Sequence, residues 1–304
     1  MIHLHKLREL DLRAPIQVGR GAFISAASGL VRAGAWLYVI ADDEHHLGIF
    51  EADGRLPGRV IELLPEVLPV DKKPRKKHKP DFESLLRLPA FAGHAHGALL
   101  ALGSGSRPNR RRVALIALDA LGALVGSARI IALDAFYERL QRDFAELNLE
   151  GAAVVGEELW LLQRGGKSGA ANACIRIGLD AFLGMLSESS VTIEPRSVQI
   201  LNLGEIDALP LCFSDAKMFP EGALIFTAIT EDTENSYQDG RCGGAAIGIL
   251  DADASVRMLG RVDPGLKIEG IEVRLCSDRI ELLLVTDDDD PEKPSALYAA
   301  QIPL

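Results

Sequence analysis

Residues 28–40 read SGLVRAGAWLYVI, two strand-like runs that a tight turn at Gly34 separates. Two further runs follow at Leu47–Glu51 and Arg59–Leu63, and turn residues such as Asp53-Gly54 lie between them. Apolar and β-branched runs bounded by glycine and acidic residues are typical of short strands joined by turns. Four such strands form an antiparallel meander, which is the content of one propeller blade.

The opening of this unit recurs four more times along the chain. Each copy begins with a short polar residue, which is acidic in four of the five, and a second apolar run follows within a few residues. The five openings are Ser28-Gly29-Leu30-Val31, Glu83-Ser84-Leu85-Leu86, Glu150-Gly151-Ala152-Ala153, Asp215-Ala216-Lys217-Met218 and Glu269-Gly270-Ile271-Glu272. A strand-rich repeat of this size indicates a propeller. We therefore expect an all-β, five-bladed β-propeller that occupies residues 1–304 as one domain, with a six-bladed ring as the alternative.

The last copy offers only three strand-like runs, Ile271–Leu275, Ile280–Val285 and Ala296–Ile302. A fourth is present at the other end of the chain, in His3–Leu12. Pairing of this N-terminal strand beside Ala296–Ile302 would close the ring and remove the exposed edges of an open one. The sequence therefore predicts a propeller closed by its N-terminal strand.

Two segments interrupt the strand pattern. The stretch Asp134–Asn148 places Phe136, Leu140, Phe144 and Leu147 at helical spacing, so it predicts a helical insertion with Asp134 as its N-cap. A shorter helix is expected over Leu179–Leu186.

The other interruption is the basic stretch 71–79, which reads DKKPRKKHK. It is either a solvated loop or a segment that brings cationic side chains to the face that carries Glu83.

Composition limits the class of function. The chain has 43 acidic and 33 basic residues and a net charge of −10, which argues against nucleic acid as a partner, because binding it requires a basic surface. The N-terminus lacks the apolar core of a secretory signal, and no stretch approaches the roughly 20 apolar residues that cross a bilayer. No membrane partner is expected. The four cysteines are far apart and form no CxxC pair, which favours reduced thiols and a cytoplasmic protein.

The repeated acids carry the functional prediction. The first strand of each blade lines the central channel, so Glu83, Glu150, Asp215 and Glu269 should converge at one mouth, with Ser28 in the fifth place. Carboxylates 4–6 Å apart repel by about 3 kcal/mol at an effective dielectric near 20. A bound cation, arginine or lysine partners, or protonation would relieve that repulsion. A cation of the calcium type suits a cluster of oxygen ligands, and Asp287, in the acidic run after the last repeat's second strand, is a further candidate ligand.

Two loops could hold an anion at the same face. Residues 103–112 read GSGSRPNRRR, and Gln163-Arg164-Gly165-Gly166 holds the equivalent place in the next blade. Small residues let backbone amides approach an anion, and arginine donates paired hydrogen bonds to it. Arg107 and Arg164 are therefore candidate substrate-binding residues, with Lys217 as a third. Ordinary hairpin turns are the alternative.

At these residues the chain resembles a family of bacterial β-propellers known as phytase-like or esterase-like. The motifs that carry the resemblance are Leu149-Glu150-Gly151-Ala152, Ile268-Glu269-Gly270-Ile271 and Thr286-Asp287-Asp288. The chain is also similar in outline to calcium-dependent nucleotidases. Such a resemblance implies hydrolysis of a phosphate or carboxylic ester. It also implies that Glu83, Glu150, Asp215 and Glu269 hold a divalent cation and that Arg107, Arg164 and Lys217 hold a small anionic ester.

The sequence leaves one alternative of a different class open, a non-catalytic binding or scaffold propeller whose axial acids are neutralised by arginine and lysine. Both interpretations share the acidic ring, so the partners of those carboxylates distinguish them.

Overall fold

Five antiparallel four-stranded sheets form the protein in the computed structural model, which describes residues 1–166, 170–187, 193–231 and 242–304. In the first four sheets the strands follow one another along the chain. Blade one contains β2 (Ala27–Ala33), β3 (Trp36–Ala41), β4 (His46–Glu51) and β5 (Arg59–Glu62). Blade two contains β6 (Phe82–Leu88), β7 (Ala98–Gly103), β8 (Arg112–Leu118) and β9 (Leu124–Ala132). Blade three contains β10 (Leu149–Val155), β11 (Glu158–Gln163), β12 (Asn172–Gly178) and β13 (Ser197–Leu201).

A short hairpin, β14 (Glu205–Ile206) and β15 (Leu209–Pro210), precedes the fourth blade. Blade four contains β16 (Cys212–Phe219), β17 (Ala223–Glu231), β18 (Cys242–Leu250) and β19 (Val256–Arg261). Blade five contains β20 (Ile268–Leu275), β21 (Arg279–Thr286) and β22 (Ala296–Pro303), and its fourth strand is β1 (His5–Glu9). The five-bladed propeller is therefore confirmed, and a sixth blade is not found among the described residues.

The N-terminal strand closes the ring as expected. β1 pairs antiparallel with β22, so that His5 lies opposite Ala299 and Glu9 lies opposite Ala296. Beyond the strand, the Leu10 amide donates to the Ser295 carbonyl at 2.9 Å. The last blade thus contains strands from both ends of the chain, and the edge of β22 is covered.

The core lies between neighbouring blades, where both faces of each sheet are covered. Residues 99–102 of β7 are all buried, and this accounts for the unbroken apolar runs of the middle strands. The ring of Tyr38 and the side chain of Leu85 belong to the same buried cluster although they come from different blades. Burial of a side chain of this size stabilises the fold by roughly 1.5–3 kcal/mol.

Three short helices connect or cover the blades. α2 (Asp134–Gln141) and α3 (Leu179–Ser187) confirm the two predicted insertions, and they pack together through Phe136 and Phe182, whose ring centroids are 6.0 Å apart. The predicted N-cap is wrong by one residue, because Leu133 is the N-cap and Asp134 begins the first turn, where an acid favours the helix dipole.

The remaining helix, α1 (Lys72–His78), replaces the solvated loop that the basic stretch suggested. No helix in the described ranges is long and apolar enough to span a membrane.

The innermost strands β2, β6, β10, β16 and β20 surround the axis, and each carries a bulge at the same place. In blade two, for example, Phe82 pairs with Gly103 and Ser84 with Leu102, so Glu83 is left out of the ladder. The same interruption omits Ser28, Glu150, Ser214 and Glu269 in the other blades. A bulged residue is free of strand pairing, and bulges often re-aim a side chain beside a functional site.

Candidate functional site

The five bulged residues define a ring of three glutamates and two serines at one end of the channel. The two serines have matching bonds: the Ser28 Oγ donates to the Phe82 carbonyl at 2.5 Å, and the Ser214 Oγ donates to the Ile268 carbonyl at 2.8 Å. In each case the acceptor precedes the ring residue of the next blade. Ser214 is therefore the equivalent of Ser28, and the sequence alignment that put Asp215 in this place was shifted by one residue.

Asp215 lies one residue beyond the ring, fully buried in the channel. Its Oδ2 accepts a hydrogen bond from the Ile271 amide at 2.9 Å and lies 3.2 Å from the Lys217 Nζ. The same ammonium donates to the Leu85 carbonyl of blade two at 3.0 Å, so it links two blades that are not neighbours. Burial raises the pKa of Asp215 to about 7, although Lys217 opposes that shift. These two side chains fill the channel behind the ring.

Two of the three ring glutamates lie against basic side chains. The Arg164 Nη1 is 3.1 Å from the Glu150 Oε1, and the Lys267 Nζ is 3.1 Å from the Glu269 Oε1. Lys267 also lies 2.9 Å from Asp289. Arg164, which the sequence suggested as a substrate-binding residue, is therefore already bound to a predicted metal ligand.

Asp287 is near the same lysine but is less closely paired. Its Oδ2 is 3.9 Å from the Lys267 Nζ, and its Oδ1 accepts a hydrogen bond from the Asp289 amide at 2.7 Å. Burial holds the pKa of Asp287 well above its usual value, and the charges of Asp289, Asp42 and Glu269 add to that effect while Lys267 opposes it. The acids at this mouth thus influence one another across the ring.

Glu83 differs from the other ring glutamates. Its carboxylate forms no ion pair or hydrogen bond with any residue in the described ranges. Single oxygens of Glu83, Asp42 and Asp81 all lie within 4.8 Å of one another. Burial, together with the charges of Glu150, Asp81 and Asp42, holds the pKa of Glu83 well above its usual value. The neutral form of Glu83 therefore persists to a higher pH than that of an ordinary glutamate.

Lys79 lies among these acids. Its ammonium donates to Asp42 in a short contact and lies 2.9 Å from the Asp81 Oδ1. Burial raises the pKa of Asp42 to about 6. Burial acts in the same direction on Asp81, but the charges of Lys79 and Arg110 outweigh it and lower the pKa of that group. The cluster is thus three carboxyl groups with one ammonium already beside two of them.

Asp81 is also held in an uncommon backbone conformation. It has a φ of 56°, in the left-handed region that only a few residue types tolerate. The Ser104 hydroxyl donates to its Oδ2 at 2.5 Å, and the Arg110 Nη1 donates to the same oxygen at 2.7 Å. Strained residues of this kind cluster at functional sites, where the surrounding structure holds them in place.

A small cleft opens beside this cluster, between α1 and the acidic loop 287–290. Its volume is about 60 Å³, room for a phosphate- or carboxylate-sized group. Arg75 fixes the helix over the cleft, because its buried guanidinium binds the Asp43 carbonyl at 2.8 Å and the Glu44 carboxylate at 2.5 Å. Lys72, at the start of the helix, donates to the Asp289 carbonyl at 2.8 Å. The basic segment therefore lies at the acidic mouth. This agrees with the interpretation that it brings cationic side chains to the face that carries Glu83.

The sequence found only part of this arrangement. Arg107 is exposed at the start of the turn 108–110, whereas Arg110, which sequence reasoning did not select, is buried and binds Asp81. Asp81 and Lys79 were also missed as site residues, although both lie within four residues of Glu83 in the sequence. Lys217 lies inside the channel rather than at the mouth. Whether any predicted residue binds a metal or a substrate stays a prediction.

The chain belongs to a family of unknown function, DUF6929, which residues 23–302 match. No curated protein matches the chain. Among solved structures, a luciferin-regenerating enzyme is similar with a TM-score of 0.47 and 11% identity, over 91% of this chain and 92% of that one. An exo-1,5-α-L-arabinanase from a bovine ruminal metagenomic library aligns with a TM-score of 0.47 and 8% identity, over 96% of this chain and 100% of that one.

A gluconolactonase from Xanthomonas campestris aligns with a TM-score of 0.45 and 10% identity, over 91% of this chain and 72% of that one. Similarity at this level does not bear on activity. The family match supports an uncharacterised propeller family, and it gives no support to the phytase-like or esterase-like name.

Proposed function

We propose that this protein is a hydrolase of a small phosphate or carboxylic ester, with its site at the acidic mouth of the channel and Glu83 as the acid–base residue. The observation that carries the proposal is the half-buried carboxyl of Glu83, which has no ion-pair partner among the described residues and lies beside Asp42 and Asp81. Two carboxyl groups whose surroundings shift their pKa values in opposite directions are a common arrangement for proton transfer. The surroundings of Glu83 favour its neutral form, whereas the basic partners of Asp81 favour the ionised form of that residue.

The protonated Glu83 would give its proton to the leaving oxygen of the ester and, once ionised, would take a proton from the attacking water. The ammonium of Lys72 borders the cleft and binds a backbone carbonyl, so its charge can meet an anionic substrate group. Arg110 and Lys79 would keep Asp81 ionised during the reaction.

A divalent cation of the calcium type is part of the proposal. The carboxyl groups at the mouth show whether suitable oxygen ligands are present. Three carboxyl oxygens within 4.8 Å of one another suit a hard cation that prefers oxygen ligands. Asp42 and Asp81 would hold it, and Glu83 would join them in its ionised form, after its proton has gone to the leaving oxygen. A bound ion would polarise the ester oxygen and acidify a water molecule. Lys79 already brings a positive charge to Asp42 and Asp81, so binding requires its ammonium to move aside.

The test combines calcium binding with turnover. Calcium should raise the melting temperature of the protein, because a ligand that binds only the folded state stabilises it by mass action. Glu83→Gln should abolish that rise and the hydrolysis of p-nitrophenyl phosphate, phytate or p-nitrophenyl acetate. The matched control is Glu272→Gln, which changes a half-buried carboxyl on the same set of inner strands toward the other end of the channel. If calcium and chelator leave the melting curve unchanged and no ester turns over, the proposal fails.

A second candidate is a non-catalytic binding or scaffold propeller. The bonds between Glu150 and Arg164 and between Glu269 and Lys267 favour it, because neutralised carboxylates stabilise the ring without a ligand. Lys79→Met distinguishes the two candidates. It should increase calcium affinity if the cluster is a cation site in competition with the lysine, and it should only destabilise the protein if the lysine is structural.

A further inference from the structure

The channel widens at the end opposite the acidic mouth. All five innermost strands contribute to a cavity of about 630 Å³ there, within the range of 300–1,000 Å³ that holds small-molecule ligands. Its wall is mostly apolar, with Val31, Leu86, Ala153, Met218 and Val273 among the lining residues. Each of these five comes from a different blade. The side chains of Asp215 and Lys217 lie between this cavity and the acidic ring.

The cavity carries one positive charge that no described acid neutralises. Arg87 lines the wall, is exposed, and forms no ion pair or hydrogen bond with a described residue. Three other charged side chains that line the cavity have hydrogen-bond or ion-pair partners. Arg32 binds Asp53 at 3.0 Å, Lys217 binds Asp215, and the Glu272 carboxyl accepts the Arg32 amide at 2.8 Å. A single basic group over an apolar wall is the arrangement that receives an anionic head with an apolar body.

One connection of the propeller is enlarged at this cavity. The inner hairpin of blade two spans residues 89–97, whereas those of blades one and three are only residues 34–35 and 156–157. Pro89, Ala90 and His96 of the long connection line the cavity. The connection is ordered by its own contacts, because the Phe91 and His94 rings stack at 4.3 Å and their backbones bond to each other. It therefore forms a fixed rim on the side of Arg87.

We propose that this cavity is a binding site for a small organic anion with an apolar body, such as a medium-chain carboxylate. The anion would bind the Arg87 guanidinium under the 89–97 connection, and the apolar part would lie against the inner strands. Glu272 is held by two backbone amides and faces Lys217 and Arg32, so it does not oppose the anion at Arg87. This site is separate from the proposed hydrolytic site and does not depend on it.

Isothermal titration with decanoate tests the site, and decanol and acetate separate the contributions of the head and the chain. Decanoate should bind, and both acetate and decanol should bind at least about tenfold more weakly. Arg87→Ala should weaken decanoate binding by about tenfold to a hundredfold, since a charge-assisted bond is lost. Arg87→Lys should retain part of the affinity. The matched control is Arg257→Ala, an exposed arginine on the outer strand of blade four.

A second variant keeps the test independent of the arginine. Ala90→Trp adds bulk at an exposed position of the rim, where the fold has no need of a small residue, and it should also block binding. Circular dichroism and melting curves establish that each variant is folded. If decanoate does not bind the wild-type protein, or if it binds Arg87→Ala and Ala90→Trp as tightly as the wild type, the proposal is overturned.

Discussion

Glu83, Glu150 and Glu269 occupy the same bulged position in three blades, yet their carboxyl groups have different surroundings. Glu150 lies against Arg164 and Glu269 against Lys267. Among the described residues, the charged neighbours of Glu83 are other acids and a lysine that binds those acids. An ion pair favours the charged form of a carboxyl, and burial among acids favours the neutral form. The pKa of Glu83 is therefore raised well above its usual value, whereas Glu150 and Glu269 each have a basic partner that favours the charged form.

This difference predicts opposite effects of the same substitution. The pKa of Glu83 is raised in the folded state, so the folded protein binds more protons than the unfolded chain between the usual glutamate value and the folded one. Its contribution to stability is present below that window and is lost as pH rises through it. Glu83→Gln should therefore raise the melting temperature more at pH 8 than at pH 4. Each pKa unit of the shift corresponds to about 1.4 kcal/mol, and each kcal/mol moves the melting temperature of a domain of 150–250 residues by about 2–4 °C.

Glu150→Gln is the comparison, because it leaves the buried Arg164 without its carboxylate partner. Loss of one member of a buried pair costs about 3–5 kcal/mol, so this variant should melt lower at pH 8. Melting curves of both variants between pH 4 and pH 8 provide the measurement. A Glu83→Gln variant that melts lower than the wild type at pH 8 would contradict the protonation state inferred for Glu83.

Sequence reasoning reached four of the five ring residues by their repeat position but placed Asp215 where Ser214 lies, one residue out of register. The cause is physical. A bulge changes which residue of a strand faces the axis, and nothing in the letters Ser214-Asp215 shows which of the two is left unpaired. The partners of the acids were equally hidden, since Lys79 and Arg110 reach Asp81 from two different connections.

At the scale of elements, α1 shows how one buried side chain determines a local structure. Its sequence is polar throughout and contains Pro74, so the pattern gave no amphipathic helix. Proline is tolerated in the first turn, where its missing amide has no partner to lose. The guanidinium of Arg75 then binds blade one, and that tertiary contact decides the conformation, as it often does for helices of this length.

Arg75→Ala should therefore release α1 from the propeller. The substitution leaves the Asp43 and Glu44 carboxylates beside Arg20, with His46 as a further neighbour of Glu44, so we expect a loss of about 3–5 kcal/mol. Hydrogen exchange of residues 72–79 should accelerate more than exchange of the inner strands. Lys73→Ala is the matched control, because Lys73 is exposed on the same helix and should leave exchange unchanged. Equal protection of this segment in both variants would show that Arg75 does not anchor it.

At the scale of the whole molecule, closure makes one blade depend on both ends of the chain. The number of blades, their strands and this closure were all predictable, because turn residues and apolar runs repeat along the chain and the last repeat lacks a strand. The fifth blade needs a fourth strand, and the N-terminal segment was the remaining strand-like run in the sequence. The pairing of β1 with β22 can be predicted by counting the strand-like runs in each repeat. The hydrogen bonds and ion pairs of the side chains at the axis cannot be predicted in this way.

Deletion of residues 1–12 should open the ring. The edge of β22 would lose its partner, and an unpaired edge is a template for association with another chain. We expect a lower melting temperature and a shift toward larger species in size-exclusion chromatography. A synthetic peptide of residues 1–12 added in trans should reverse part of both effects, whereas a scrambled peptide should not. A truncated protein that stays monomeric with an unchanged melting temperature would show that closure contributes little.

The five bulges have a consequence for how such a protein can change over time. A residue that is left out of the strand ladder can be replaced without altering the pairing of its neighbours, and the ring already contains both serine and glutamate in that place. The axis thus offers five positions at which a single substitution can add or remove a charge without changing the strand pairing, although loss of a charge that has a basic partner lowers stability. Homologous propellers could then differ in the ligand that they bind through single substitutions at these positions, while the backbone stays the same.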